Sequence, residues 1–477
     1  MIVRVVDPRT KPDLPGAPAV APGERRVLAA SLATGLVVLL VYLATVAPGL
    51  TWAHDGDDGG DLISAAYHLG VPHPPGYPLY VALGYLVAHF PLGAGDVALR
   101  FNVLSAVAAA GAAVLLVWAV ARDHGQPAGL LAGLTLALGP IYWSQAVIAE
   151  VYALNVLAVA VLVLLVLGKT PRWGWIGLVW GISWATHLSS ALLLPLVLVR
   201  VVDGKTRLWP AARGLGLGWL AGVTPYLLLP LFAAASPPIN WGNPTTPERW
   251  WWLVSGRLYS GFVFGLPPDQ WPVRLASLGR LVLENLTVPG ALLAAWGAAQ
   301  LTSKDRPRVV GILATMVAMA AYALGYNTTD SYVLLLPVLL LAAWLVGVGI
   351  KELGNLGPGG RLLGWAALVI PLYLLITGWP EVSLAADHEA TTFVEETMRA
   401  APAQAILYTE TDRHTFSLWY ARLVAGRRPD VTIVDRALLG YGWYQAMLET
   451  QDPTWSRGPG DRPVCSVSRQ GQLACAP

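Results

Sequence analysis

Residues Thr51–Tyr80 read TWAHDGDDGGDLISAAYHLGVPHPPGYPLY, directly behind an apolar run, Val27–Ala47, long enough to cross a bilayer. The stretch packs in four aspartates, three histidines and a stiff His-Pro-Pro-Gly-Tyr-Pro run, although the chain of 477 residues is only 13% charged and 55% hydrophobic. An acidic loop at the mouth of an apolar bundle points to chemistry at the membrane surface.

Apolar runs of spanning length recur along the chain, which makes it an all-α polytopic membrane protein. The expected spans are 27–48, 101–121, 127–141, 150–168, 174–187, 188–201, 214–233, 275–301, 309–326, 332–350 and 362–379, about 11 transmembrane helices. The pair 174–187 and 188–201 is short and reads as broken around His187. Leu79–Phe90 is too short to cross and reads as re-entrant or interfacial. The first run is too long for a signal-peptide core and has Pro48 where cleavage would fall, so it is expected to be a retained span behind a polar tail, residues 1–26.

The positive-inside rule orients these spans. With the N-terminus cytoplasmic, the inner loops carry Arg25 and Arg26; Arg122; Lys169 and Arg172; Arg200, Lys205, Arg207 and Arg213; Lys304, Arg306 and Arg308; and Lys351 and Arg361. Arg274 and Arg280, near the outer start of the eighth span, run against the rule. The transmembrane region is expected over 27–379, with the first outer loop at 49–100 and a small soluble extracytoplasmic α/β domain over 380–477. In that tail, Ala405–Thr409 and Val431–Val434 read as strands and Thr415–Ala425 as the helix between them. The only two cysteines, Cys465 and Cys475, both lie there and read as a disulfide in an oxidising compartment, with two free thiols as the alternative. The net charge of +2 says nothing of partners, and no basic patch interleaved with aromatics indicates nucleic acid.

In Asp55-Gly-Asp-Asp-Gly-Gly-Asp61 the glycines hold off a helix until about residue 60, so Asp58 and Asp61 fall at its cap and first turn. Capping would explain two aspartates; four exceed what a helix end needs. His73-Pro-Pro-Gly-Tyr-Pro78 is a stiff turn that either holds the loop's shape or places His73 and Tyr77 against a ligand. Glu150 and Tyr152 begin the fourth span at the same face, where an acid is also favoured by the helix dipole. His187 reads as an interhelical hydrogen-bond partner. The loop 236–272 carries Trp241, Trp250, Trp251, Trp252, Tyr259 and Trp271 with Arg249 and Arg257, a set suited either to interfacial anchoring or to stacking on a sugar and gripping a phosphate. No nucleotide-loop, zinc-protease, CxxC or serine-hydrolase pattern is present.

Several segments together carry a resemblance. They are Asp58-Gly-Gly-Asp61-Leu-Ile, His73-Pro-Pro-Gly-Tyr-Pro78, Arg100-Phe-Asn-Val-Leu-Ser105, Trp143 through Leu154 with its Glu-Val-Tyr, Asp330-Ser-Tyr-Val-Leu-Leu-Leu-Pro337, Asp412-Arg-His-Thr-Phe-Ser-Leu-Trp-Tyr420 and Arg428-Pro-Asp-Val431. The chain resembles a bacterial membrane family related to a vertebrate transmembrane protein O-mannosyltransferase, within the GT-C glycosyltransferase superfamily. In that family the second acid of the first loop is usually Glu; here it is Asp61. Many relatives also carry a longer soluble extension with helical repeats.

The resemblance implies transfer of a sugar, a mannose-like hexose favoured, from a polyprenyl-phosphate donor to an extracytoplasmic protein or glycan acceptor, with inversion at the anomeric carbon. The expected partners are this lipid-linked donor, the acceptor and the bilayer, and the expected location is the inner membrane. No cofactor is expected, with a divalent metal at the acidic loop as the open alternative. A phosphate leaving group needs no strong acid, whereas an attacking hydroxyl needs a base. Asp58 is the expected base, ahead of Asp61, Asp55, Asp57 and Glu150, with Asp61 orienting the loop or acceptor. Arg100, Arg249 and Arg257 are the candidate cations for the phosphate, and His73, Tyr77, Glu150 and Tyr152 complete the expected substrate contacts. Two other classes fit the same features. A lipid or solute transporter would also place acids at a membrane mouth, and a non-catalytic assembly protein would use the tail for docking.

Overall fold

A computed structural model describes residues 22–90, 95–168, 170–202, 207–458 and 460–475. Most of the expected N-terminal tail, together with Lys169 and Lys205, lies outside the described residues. Seven helices among the described residues are long and apolar enough to cross a membrane: Gly23–Thr45, Val97–His124, Leu208–Ala234, Pro268–Lys304, Arg306–Gly325, Ser331–Gly354 and Pro358–Val382. The sequence reading counted eleven. The difference lies at 127–141, 150–168, 174–187 and 188–201, where the chain forms helices that stop short. Gly139-Pro140 divides Gln126–Leu138 from Pro140–Ala146, Gly168 ends Tyr152–Leu167, and an extended His187 (φ −163°, ψ 131°) ends Trp173–Thr186. Thirteen helical residues rise about 20 Å, less than the ~30 Å of a hydrocarbon core. The stretch expected to be interfacial forms the helix Pro78–His89.

The bundle closes around Ser331–Gly354, whose apolar window is wholly buried. It packs against Trp271–Lys304 and Gln126–Leu138. The approach to the first of these is set by glycine. A Cβ on Gly297 would come within 2.3 Å of the Leu345 carbonyl oxygen, and one on Gly349 within 2.2 Å of Leu293's. Small residues let helices without a water-driven association touch backbone to backbone.

Beyond Val382 the chain leaves the bundle and folds into a layered α/β unit. β1 (Ile406–Thr409) pairs in parallel with both β2 (Thr432–Asp435) and β3 (Val464–Val467), and β4 (Leu473–Cys475) pairs antiparallel with β3, giving the order β2-β1-β3-β4. The tail helix, Asp412–Leu423, makes the crossover from β1 to β2. The sequence reading expected β1, β2 and this helix within a few residues, and it missed the hairpin. Cys465 and Cys475 face each other across that hairpin and are joined as a disulfide.

The tail does not hang free. Its helix lies along the loop helix, Gly59–Tyr67, which follows the acidic turn. Trp52 Nε1–H donates to Ser417 Oγ at 2.9 Å, the Ala98 N–H donates to the Tyr420 hydroxyl at 3.2 Å, and Tyr420 in turn bonds Asp96. The two helices meet at Gly60, where a Cβ would lie 2.3 Å from the Phe416 carbonyl oxygen. Overpacking of this kind costs about 1–3 kcal/mol. Gly60→Val is therefore expected to lift the tail from the loop. Limited proteolysis should cut the connecting residues 383–388 faster than in the parent protein, with the bundle itself intact.

Candidate functional site

The acidic turn is shaped by backbone that few residues adopt. His54 (φ 59°) and Asp55 (φ 58°) both sit in the left-handed region ahead of Gly56. Asp and His tolerate that region better than bulky residues, and the reversal presents Asp57 and Asp58 to one side. Asp58 occupies the N-cap position of the loop helix, yet its side chain makes no capping bond. Its carboxylate faces His73 instead, with Oδ2 at 3.5 Å from Nε2.

Asp61, one turn on, is completely buried. Its Oδ2 accepts from the His73 backbone N–H at 2.9 Å and lies 2.7 Å from His73 Nδ1, while its Oδ1 accepts from Trp241 Nε1–H at 2.9 Å. A carboxylate can only accept, so Nδ1 carries a hydrogen and Nε2 is turned toward Asp58. The Pro-rich turn after His73 is tied back by the Gly76 N–H, which donates to the His73 carbonyl at 2.9 Å. Gly76 (φ 90°) has no room for a side chain, since a Cβ would meet Leu229 and Leu253 at 3.0–3.2 Å. Tyr77 then packs edge-on to His73 at 5.2 Å and stacks on His187 at 6.2 Å, and Tyr152 closes on His187 from the other side at 5.4 Å.

These groups line a cavity of about 330 Å³. Asp55, Asp57, Asp58, His73, Tyr77, Tyr152, His187 and Tyr259 were singled out in the sequence; Asp330, Ser331 and Asp412 come from segments that carried the resemblance, and Tyr322, Tyr326 and Thr328 join them from elsewhere. Burial strongly affects the charges here. It pushes the Asp58 carboxyl up to about 6, with the neighbouring His73 cation opposing and Asp61, Asp330 and Asp57 adding to the rise. Burial works against the charge on His73, but Asp58 and Asp61 outweigh it and hold the imidazolium up to about 9. Asp412, at the start of the tail helix, is raised to about 7 by burial and by Asp58. Asp57 is raised by burial despite the Arg413 guanidinium 3.1 Å away, and Asp55 accepts from the Tyr332 hydroxyl at 2.7 Å. Among the described residues no three His, Cys, Asp or Glu side chains are grouped so as to hold a metal ion.

Four sequence candidates stand apart from this cavity. Arg100 donates to the carbonyls of Ala88 and Phe90, closing the end of helix Pro78–His89. Arg249 and Arg257 are exposed on the Trp-rich loop, and neither lines the cavity. None of the three arginines expected to meet the phosphate lines this cavity. Glu150 is buried behind the wall, with Oε2 accepting from the Val151 N–H at 3.2 Å.

The cation at the cavity's edge is Arg274, which donates to Ser331 Oγ at 2.5 Å and to the Thr328 carbonyl at 2.6 Å. Its signal in the sequence was its breach of the positive-inside rule. Asp330 and Asp412 lay in segments that carried the family resemblance, but nothing local marked either as a cavity residue.

Residues 58–209 match the family described as the protein O-mannosyl-transferase TMEM260 N-terminal domain, and residues 390–453 match TMEM260-associated domain 2. Protein O-mannosyl-transferase TMEM260 of Mus musculus is 28% identical over 501 residues, covering 96% of this chain and 70% of the mouse protein. The Dictyostelium discoideum protein of the same name is 29% identical over 243 residues, covering 44% of this chain and 29% of its own. Among solved structures, ArnT from Cupriavidus metallidurans bound to undecaprenyl phosphate aligns with a TM-score of 0.58 at 13% identity, covering 94% of this chain and 93% of that one. The Archaeoglobus fulgidus oligosaccharyltransferase aligns at 0.50 with 11% identity, covering 94% and 73%. The chain is thus a multi-pass membrane protein similar in sequence, over most of its length, to the TMEM260 protein O-mannosyl-transferases and similar in fold to these two solved structures.

Proposed function

We propose that this protein transfers a hexose, mannose favoured, from a polyprenyl phosphate to a hydroxyl of a protein or glycan outside the cytoplasm. The observation that carries this reading is Asp58, a carboxylate with no capping duty, facing a cavity and backed by His73. The acceptor oxygen attacks the anomeric carbon and gives its proton to Asp58. The new C–O bond forms as the bond from that carbon to the phosphate oxygen breaks, and the electron pair leaves with the polyprenyl phosphate. One displacement inverts the anomeric carbon. No metal ion is assigned a step.

Charge grows on the departing phosphate, and a fixed cation stabilises it most in a site that excludes water. Arg274 suits this role. It sits where the polar cavity meets an apolar-walled pocket of about 300 Å³ formed by Leu278, Leu281, Ala323, Leu324 and Leu335, and the two share Thr329 and Ser331. Phosphate on Arg274 and prenyl chain in the apolar pocket would let the donor enter sideways from the bilayer. The orientation follows the basic residues. Arg122, Lys304, Arg306, Lys351 and Arg361 mark helix ends remote from the cavity, which supports a cytoplasmic side there and an outer-facing site.

Purified protein incubated with labelled polyprenyl-phosphate sugars is expected to release polyprenyl phosphate and label an acceptor. Absence of turnover with every donor would refute the reading. Asp58→Asn should bind donor but lose about 10²-fold or more in rate, because the amide keeps the shape and cannot take the proton. Near-normal transfer by that variant would move the base elsewhere. Arg274→Ala should weaken donor use by about tenfold or more, whereas Arg249→Ala/Arg257→Ala should leave it near the parent value.

The pH dependence follows from the charge states. The base works only ionised, so the rate should rise as pH climbs through about 6. It should fall again as His73 loses its charge near pH 9, the two limbs belonging to the Asp58–His73 pair as a unit. A rate–pH profile flat from 5 to 8 would remove Asp58 from the role.

A further inference from the structure

We propose that the tail domain is a working part of the catalytic site, and that Trp241 is the positioning residue through which it acts. The inference rests on the reading of Asp58 as the base. Trp241 lies in the outer loop, on a short segment strung beside the one leading to His73. The Val71 N–H donates to the Ile239 carbonyl at 2.9 Å, and the Trp241 N–H donates to the Val71 carbonyl at 3.0 Å. The indole is buried, 3% exposed, and its seat is made by three rings of the tail. Trp443 lies 5.2 Å away with a 33° tilt, and Phe416 and Trp419 meet it edge-on at 6.2 and 6.4 Å. From that seat Nε1–H reaches Asp61 Oδ1, the oxygen that His73 does not use.

The chain of contacts is continuous: tail rings, Trp241, Asp61, His73, Asp58. Each link constrains the next. With Oδ1 occupied by the indole, Asp61 has only Oδ2 to offer His73, which fixes both the rotation of the ring and the hydrogen on Nδ1. Without the indole donor, Asp61 is free to turn, and the His73 ring loses the hold that keeps it against Asp61 and Asp58, the two carboxylates that sustain its charge. Asp58 then loses the cation that opposes its protonation and holds its own proton to higher pH. The other titratable groups around the pair are Glu150, Asp57, Asp330, Asp412, Tyr77, Tyr259 and His187, and the indole N–H donates to none of them, its bond going to Asp61. Tail docking also has attachments of its own, from Trp52 to Ser417 and from Arg413 to Asp57, so the tail does not depend on the indole N–H to stay in place.

Trp241→Phe separates the bond from the packing, since it keeps a ring in the seat and removes the N–H. In the purified full chain we expect the rate at saturating donor to fall about tenfold and the acid limb of the rate–pH profile to move up by about one unit. Donor KM should be unchanged. Combined with Asp61→Asn, it should cost no more than Asp61→Asn alone, because the indole acts on His73 only through the Asp61 carboxylate, which Asp61→Asn already removes. An unmoved acid limb, or losses that add, would overturn the proposal. So would a tail released to protease in Trp241→Phe, which would mark the residue as packing only.

A readout independent of turnover is the pH at which His73 becomes reactive to diethyl pyrocarbonate, followed peptide by peptide. It should drop in Trp241→Phe, and an unchanged onset would overturn the coupling. If the parent protein transfers no sugar while this onset does shift, the failure belongs to the assigned activity and the bond from tail to loop stands.

Discussion

A carboxylate removed from water must be matched bond for bond, and Asp61 is such a group. Nothing else in the first outer loop makes so firm a demand on its surroundings. Three donors answer it, two from His73 and one from Trp241, and each brings a separate piece of chain to one point. The Pro-rich turn is held where it is because His73 must reach Asp61. The Trp-rich loop comes down beside Val71 because its indole must do the same. The tail is packed on top because that indole needs an apolar cover. An unpaired ion in such a place would cost several kcal/mol, so the site and the fold around it form or fail together.

The charge pattern of the cavity follows from this. Asp58 is next to a cation that it and Asp61 sustain, in a cavity crowded with acids. Burial, Asp61, Asp330 and Asp57 lift its proton affinity while His73 lowers it. A general base tuned to the middle of the pH range balances being ionised against being strong enough to take a proton. On the reading proposed for Asp58, that balance would come from burial and from neighbours contributed by the first outer loop and by the turn at Asp330.

How much of this could be read beforehand depended on distance along the chain. The membrane bundle was legible because apolar runs announce themselves locally, and where the count of spans differed, helix ends at Gly139, Gly168 and His187 were the cause. Asp58, Asp61 and His73 were legible because glycine and proline mark an unusual backbone within twenty residues. Asp58 was nevertheless ambiguous in the sequence between capping and chemistry, and the structure gives its side chain no capping bond. Asp330, Asp412 and the partnership of Trp241 with Asp61 were not legible as site features, since a contact across 180 residues leaves no local pattern. Arg274 was visible only as a misfit to the charge rule, which marked its place in the sequence but not its bonds to Ser331 and Thr328.

The stretch that supplies Phe416, Trp419 and Trp443 is made long after the loop it covers. During synthesis the acidic turn, the Pro-rich segment and the transmembrane helices emerge first, with Trp241 lacking its cover and Asp61 its settled partner. The half-made protein therefore holds its acidic turn and Pro-rich segment before the rings that seat the indole exist. The bond from Trp241 to Asp61 gains its cover only once this later segment has folded onto the bundle. The order of residues in the chain thus sets the order of assembly, with the outer loop waiting on a stretch made well after it.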